Sequence, residues 1–271
     1  MRISCEGRRA VVTAGGSGIG RVIAETLAAN GAQVFTCDVE PGLIDEVRER
    51  GISACLADVG DPAAVERLFE AAAAAMGGVD VLVNNAGIAG PTARVEAIEP
   101  ADWDRTIAVN ISGQFYCARR AVPLMRRAGG GAIVNISSTA GRMGFPLRLP
   151  YATSKFAITG LTKTLALELG PAKISVNAIL PGYILNARGE RVIRAKAEAA
   201  GRTVDEMEAT ILRNIAMRTG ITEQEIADLA LYLCSPSGRH ISGQLLGVDG
   251  AFDTYMGMDN LDDPPPDAGR A

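Results

Sequence analysis

An alternation constrains this chain more than any other feature. Short β-branched apolar runs are separated by longer segments of helical spacing, all the way from Arg9 to Val248. The strand-like runs are Arg9–Thr13, 33–37, a weaker 52–56, 79–83, 132–136, 174–179 and Leu245–Val248. Helical spacing fills 19–29, 43–50, 62–75, 103–127, 152–169 and Glu223–Cys234. Strand–helix–strand order makes successive strands parallel through right-handed crossovers. Largely apolar runs such as 79–83 suit a sheet covered on both faces. The expectation is a doubly wound α/β fold with about seven parallel strands and helices on both faces. No Pro/Gly/Ser-rich linker and no repeat interrupts the pattern, so residues 1–258 are expected to form a single domain. Two segments depart from it. Residues 183–217 are polar and charge-rich and read as two helices inserted before the last helix–strand unit. Residues 259–271 include Asp-Asp-Pro-Pro-Pro-Asp and read as a flexible tail.

Composition narrows the function classes. Of the 271 residues 48% are hydrophobic, which allows a large core and argues against disorder. A net charge of −4 makes a general nucleic-acid binder unexpected. Charges break every apolar stretch well before 18 residues, so no membrane span is expected. Residues 1–6 lead into the first strand without a signal-peptide core. The five cysteines, Cys5, Cys37, Cys55, Cys117 and Cys234, are scattered and fit reduced thiols. Together these point to a cytoplasmic protein. The chain has one histidine, His240, which argues against a His-rich zinc site, a Ser–His–Asp triad or a Cys–His dyad. No metal is expected, and acid–base chemistry falls to Tyr, Lys, Asp, Glu or Cys.

Val11-Val12-Thr13-Ala14-Gly15-Gly16-Ser17-Gly18-Ile19-Gly20 follows the first strand and opens a helix. Gly15, Gly18 and Gly20 allow a tight turn and close backbone approach to a pyrophosphate. Ser17, Gly18 and Ile19 begin the helix, where free N–H groups and the dipole favour an anion. A structural turn would look similar; the place between strand and helix favours nucleotide binding. Asp38 ends the second strand, eighteen residues after Gly20, where a carboxylate accepts hydrogen bonds from an adenosine ribose diol. It would repel a 2′-phosphate, and neither Ser17 nor Val39 supplies a compensating cation. That favours NAD. The other reading of Asp38 is a strand-end cap. A methyltransferase on the same Rossmann scaffold would share the loop and the acid but need nothing that follows.

Tyr151-Ala-Thr-Ser-Lys155 puts Tyr and Lys at i and i+4, on one face of a helix. Ser138 lies thirteen residues upstream, just past the strand-like run 132–136, where α/β proteins place their chemistry. Tyr can act as acid or base, Lys can lower its pKa, and Ser can hold the substrate oxygen. A free phenol has a pKa near 10, and one cation at about 5 Å in an effective dielectric near 20 lowers it by roughly 2 units. With an oxidised nicotinamide nearby, Tyr151 comes within reach of working pH.

These motifs, in this order and spacing, resemble the short-chain dehydrogenase/reductase family over about residues 7–251. They are the loop at 13–20, Asp58 after the third strand, Asn84-Asn85-Ala86-Gly87, Asn110 in the long helix, Ser138, Tyr151-x-x-x-Lys155 and Pro181-Gly182. The resemblance implies that Asp58 and Val59 contact adenine and that Asn84, Ala86 and Gly87 line the cofactor. It implies that Asn110 holds a water linked to Lys155, that Lys155 also bonds the nicotinamide ribose, and that Pro181, Gly182 and Ile184 shape the nicotinamide wall. It implies a small-molecule alcohol or carbonyl substrate, with no nucleic-acid or membrane partner, and a homotetramer. Two positions depart from the family pattern: Ala14 at the usual first glycine, and Asn186 where a Thr often meets the carboxamide. The insertion at 183–217 lies where the family carries its substrate lid. Its Arg188, Arg191, Arg194, Lys196 and Arg202, with Arg142 and Arg148 beside the reacting centre, suit an anionic substrate or, alternatively, a solvated face balanced by nearby acids. The expected activity is NAD-dependent oxidation of a secondary alcohol. The alternatives are an NADPH-dependent 3-oxoacyl-type reductase, against which Asp38 argues, and a non-catalytic nucleotide sensor.

Overall fold

The computed structural model describes residues 3–252; the expected tail at 259–271 lies outside them. Among the described residues, seven strands form one all-parallel sheet: β1 (Arg9–Thr13), β2 (Gln33–Asp38), β3 (Ser53–Leu56), β4 (Val81–Asn84), β5 (Gly131–Ile136), β6 (Ile174–Pro181) and β7 (Leu245–Val248). Their order across the sheet is β3-β2-β1-β4-β5-β6-β7. The helices are α1 (Gly18–Ala29), α2 (Pro41–Glu49), α3 (Pro62–Met76), α4 (Pro100–Ile107), α5 (Gly113–Ala128), α6 (Leu149–Leu169), α7 (Ala187–Ala200), α8 (Val204–Arg213) and α9 (Glu223–Cys234).

Side-chain alternation along β1 shows why both faces are covered. Ala10 and Val12 join Ile23 and Leu27 of α1 and Ile226 and Ala230 of α9. Val11 joins Leu68 and Phe69 of α3 and Cys117 and Met125 of α5 on the other face. Fully burying a side chain such as Ile23 or Phe69 is worth about 1.5–3 kcal/mol. The strand order reverses at β1, which pairs with β2 on one side and β4 on the other. A crevice opens there, past the carboxyl ends of the strands. No helix among the described residues is long and apolar enough to cross a membrane.

Several boundaries differ from the sequence reading for local reasons. The helix expected over 103–127 starts at Pro100, whose fixed φ suits a first turn, and contains a π turn at Ala108–Ser112. There Asn110 turns inward and bonds the backbone of Ile88 in both directions: its Oδ1 accepts from Ile88 N at 2.8 Å and its Nδ2 donates to Ile88 O at 3.0 Å. β4 starts at Val81 rather than 79. Just before it, the Asp80 carboxylate accepts from Arg9 N (3.0 Å), Nε (2.8 Å) and Nη2 (2.9 Å), tying the starts of β1 and β4 together. Pro150 in the first turn lets α6 begin at Leu149 rather than 152. The inserted segment folds as α7 and α8, separated by Gly201 at φ +63° and a capping box between Thr203 and Glu206.

Candidate active site

The crevice is a cavity of about 730 Å³. Its floor is built by tight backbone approach. A Cβ on Gly15 would overlap the Thr36 hydroxyl, which donates to Val12 O at 2.6 Å. A Cβ on Gly20 would overlap the Ala14 carbonyl and the Asn85 amide. Gly15 and Gly20 therefore do not line the cavity; they let the loop pack onto β2 and onto the chain after β4. Thr13 Oγ1 accepts from Asn85 N and Ala86 N, each at 3.0 Å, which ties the two loops together. Ala14, at the usual glycine position, adopts a left-handed φ of +52°. Ser17, Gly18 and Ile19 line the cavity at the start of α1. Ser17 makes no side-chain cap bond and the first turn holds no acid, so the helix's leading N–H groups and dipole are available to an anion.

Asp38 lines the cavity at the end of β2. Its carboxylate accepts from Gly16 N (3.2 Å), Val39 N (2.8 Å) and Glu40 N (3.4 Å). Asp58 and Val59 line the same end; Asp58 accepts from Gly60 N at 2.8 Å and pairs with Arg105 Nη1 at 2.8 Å. Ala86 and Gly87 line the wall between the two ends, while Asn84 is buried in the sheet. Asn84 Nδ2 donates to Asn135, whose own amide donates to Thr162 on α6, so this pair links sheet to helix.

Ser138, Tyr151 and Lys155 line one stretch of the cavity. Ser138 caps the short turn at 139–141, accepting from Ala140 N at 3.1 Å. Lys155 Nζ is 5.5 Å from the centre of the Tyr151 ring and donates to Ile136 O at 2.9 Å, which fixes the ammonium at the end of β5. The Arg148 guanidinium lies 4.8 Å from the same ring. Asn110 is fully buried and does not line the cavity. Besides Ile88 it bonds Ser154 Oγ at 2.9 Å, and Ser154 in turn donates to Tyr151 O at 2.7 Å. Asn110 thus braces the turn of α6 that carries Tyr151.

A second cavity tyrosine is the useful contrast. Tyr183 donates to Glu208 at 2.7 Å, and burial together with that carboxylate pushes its pKa up, away from any role as a base. Tyr151 stands among cations and Tyr183 beside an anion, so the environments separate their chemistry.

Pro181, Gly182 and Ile184 line the wall opposite, with Arg191 and Lys196 of α7. Arg148 lines the cavity, is 5% exposed, and donates to Ala89 O at 3.0 Å. Arg142 does not reach the cavity; its guanidinium lies 3.7 Å from the Asp249 carboxylate. Asn186 caps α7 through Gly189 N at 2.8 Å and donates to Glu223 Oε1 at 2.6 Å. Sequence reasoning did not single out Arg105, Phe145, Tyr183 or Glu223, all of which line the cavity. Only Arg105, three residues after Asp102 on an amphipathic turn, carried any signal.

Comparison with known proteins agrees with this architecture. Residues 13–253 match a family model described as enoyl-(acyl carrier protein) reductase. The D-beta-hydroxybutyrate dehydrogenase of Rhizobium meliloti strain 1021 is 36% identical over 256 residues, covering 90% of this chain and 98% of that enzyme. Among solved structures, an NAD+-bound xylitol dehydrogenase superposes with a TM-score of 0.86 at 30% identity, covering 90% of this chain and 98% of that one. An actinorhodin polyketide ketoreductase with NADPH gives 0.86 at 31%, over 92% and 98%. The fold and the cavity define a nicotinamide-type oxidoreductase scaffold. The chain belongs to the short-chain dehydrogenase/reductase family.

Proposed function

We propose that this oxidoreductase is an NAD-dependent dehydrogenase of secondary alcohols, working reversibly on the alcohol or its carbonyl. The observation that carries the reading is convergence: Ser138, Tyr151 and Lys155 line the same cavity as the α1 N-terminus and Asp38. The residues fit a dinucleotide on their own chemistry. The start of α1 offers uncapped N–H groups to a pyrophosphate, and Gly18, at φ +55°, keeps the approach open. Asp38 supplies acceptors for a ribose diol and repels a 2′-phosphate. Arg105, the cation nearest the Asp58 end, is engaged by Asp58 rather than offered to a phosphate. Asp58, Val59, Ala86, Gly87, Pro181, Gly182 and Ile184 complete the walls.

When bound, the nicotinamide supplies the hydride acceptor for alcohol oxidation. The chain's residues do the proton chemistry. Ser138 Oγ orients the substrate hydroxyl, Tyr151 takes its proton, and the Lys155 ammonium stabilises the phenolate that does so. Asn110 positions Tyr151 through Ser154, and its Oδ1 and Lys155 Nζ both lie close to Gly87, 3.4 and 3.5 Å from where a Cβ would stand. The family-implied water between Asn110 and Lys155 would extend the proton path. Segment 183–217 acts as the substrate lid, tied by Asn186 to Glu223. Exposed Phe115 on α5 and Phe156 and Leu167 on α6 support a homotetramer. The test is reduction of NAD and of NADP over a panel of hydroxy acids, sugar acids and aromatic alcohols. Failure to reduce NAD with any of them, or a consistent NADP preference, overturns the proposal.

A further inference from the structure

The two ends of the cavity differ in charge. Its described carboxylates, Asp38, Asp58 and Glu223, stand near the glycine loop, where Glu223 Oε1 approaches within 3.5 Å of a Cβ built on Gly18. Around Tyr151 the charged lining groups are Lys155, Arg148, Arg191 and Lys196. Two of these come from opposite sides. Arg148 lies on the first turn of α6 and Lys196 on α7 of the inserted segment.

Each of the two rests on an aromatic face. The Arg148 guanidinium lies 4.8 Å from the Tyr151 ring centre, and the Lys196 ammonium 4.8 Å from that of Phe145. Phe145 meets Phe252 edge-on at 6.1 Å, which holds its ring in place. Arg148 Nη2 is anchored to Ala89 O at 3.0 Å. The Lys196 ammonium is disfavoured first by burial and then by the neighbouring Arg148 charge. Bringing two cations together against apolar rings is unfavourable until an anion joins them.

We infer that Arg148 and Lys196 together seat a carboxylate of the substrate, so that the alcohol oxidised is a short hydroxy acid. This deepens the dehydrogenase reading and rests on it. Arg148 stacks on the ring of Tyr151 itself, so a carboxylate held there lies only a few bonds from a carbinol at the Tyr151 hydroxyl. A guanidinium offers two parallel donors to a carboxylate, and the ammonium closes the seat from the side of the inserted segment.

The test is calorimetric titration of the full chain. NAD+ binding is measured first, and the NAD+-loaded protein is then titrated with butyrate and with butyramide, which differ in charge but little in shape. Butyrate is expected to bind at least about tenfold more tightly, as for a charge-assisted contact. Lys196→Met is expected to cut the butyrate-over-butyramide ratio about tenfold, and Lys196→Arg to retain it. Arg148→Met should do the same as Lys196→Met; because Arg148 is buried, its folding is checked by thermal unfolding, and Lys196→Met carries the test if it fails. In turnover, 3-hydroxybutyrate should exceed 3-hydroxybutyramide in kcat/KM, with the difference in KM. If NAD+ binds but the two ligands bind equally, or Lys196→Met leaves the ratio unchanged, the carboxylate seat is wrong and the dehydrogenase reading stands. If neither NAD+ nor NADP+ binds, the reading beneath it falls and the seat with it.

Discussion

Replacing Lys155 by methionine removes a charge while keeping an unbranched side chain of similar length. The ammonium stands 5.5 Å from the Tyr151 ring centre and is 3% exposed. At an effective dielectric near 20, a unit charge at that distance stabilises a phenolate by about 3 kcal/mol, equivalent to about 2 pH units. Tyr151 is only partly buried, so solvent reduces the expected effect to roughly 1–2 pH units. Arg148 remains at 4.8 Å in the variant, so the phenol keeps one cation and activity should stay measurable. The sign is fixed: losing a cation makes the base harder to ionise. In Lys155→Met the acid limb of the kcat/KM profile for alcohol oxidation is therefore expected to move to higher pH by that amount. Lys155→Arg should bring it most of the way back. The Ile136 carbonyl loses its Nζ partner, which costs about 1–3 kcal/mol of stability, so urea unfolding is followed in parallel. A folded, active Lys155→Met whose acid limb coincides with that of the parent refutes the electrostatic role.

Tyr151→Phe should lose at least about 100-fold in kcat with NAD binding retained, whereas Tyr183→Phe should lose less than about tenfold; rapid kinetics and a binding titration separate the two tyrosines. The parent should prefer NAD to NADP in kcat/KM, and Asp38→Ala should narrow the ratio by about tenfold or more, since it removes both the ribose acceptors and the repulsion. Burial pushes the Asp80 carboxyl up, but the Arg9 hydrogen bonds outweigh it and hold the group below the usual carboxylate range. The stability this supplies is fully present above about pH 4 and is lost as pH falls through the depressed native value, so urea midpoints should show Asp80→Asn costing about 1–3 kcal/mol at pH 7 and much less near pH 2. Ala14→Gly should stabilise the protein by about 1 kcal/mol in the same assay, because the left-handed φ of +52° strains an alanine and not a glycine.

The strands and the cofactor end of the site were legible because their signals are local. β1, the glycine loop and Asp38 follow one another within thirty residues, and each announces itself by apolar alternation, missing side chains or a charge at a strand end. Tyr151 and Lys155 were legible because helical spacing alone puts them on one face. The interior role of Asn110 was not, since a polar residue in a helical pattern reads equally as a solvated face. Only the Ile88 backbone, twenty-two residues away, shows which way it turns. Arg142 and Arg148 looked alike in sequence. Tertiary structure separates them, sending one to Asp249 and the other over the Tyr151 ring. Lys196 was indistinguishable from the other basic residues of its segment until Phe145 was seen beneath it.

The π turn at 108–112 has a meaning in terms of chain length. A π turn holds one residue more than the α-helical turn it replaces. It thus records an insertion stored within a helix. Deleting a single residue there would restore a regular helix, yet it would rotate α4 against α5 by about 100°. Asn110 would leave Ile88, and Arg105 would swing away from Asp58. The segment is therefore a poor place for length variation: a natural variant one residue shorter here would gain helical regularity and lose both the brace beneath Tyr151 and the partner of Asp58 at the far end of the cavity.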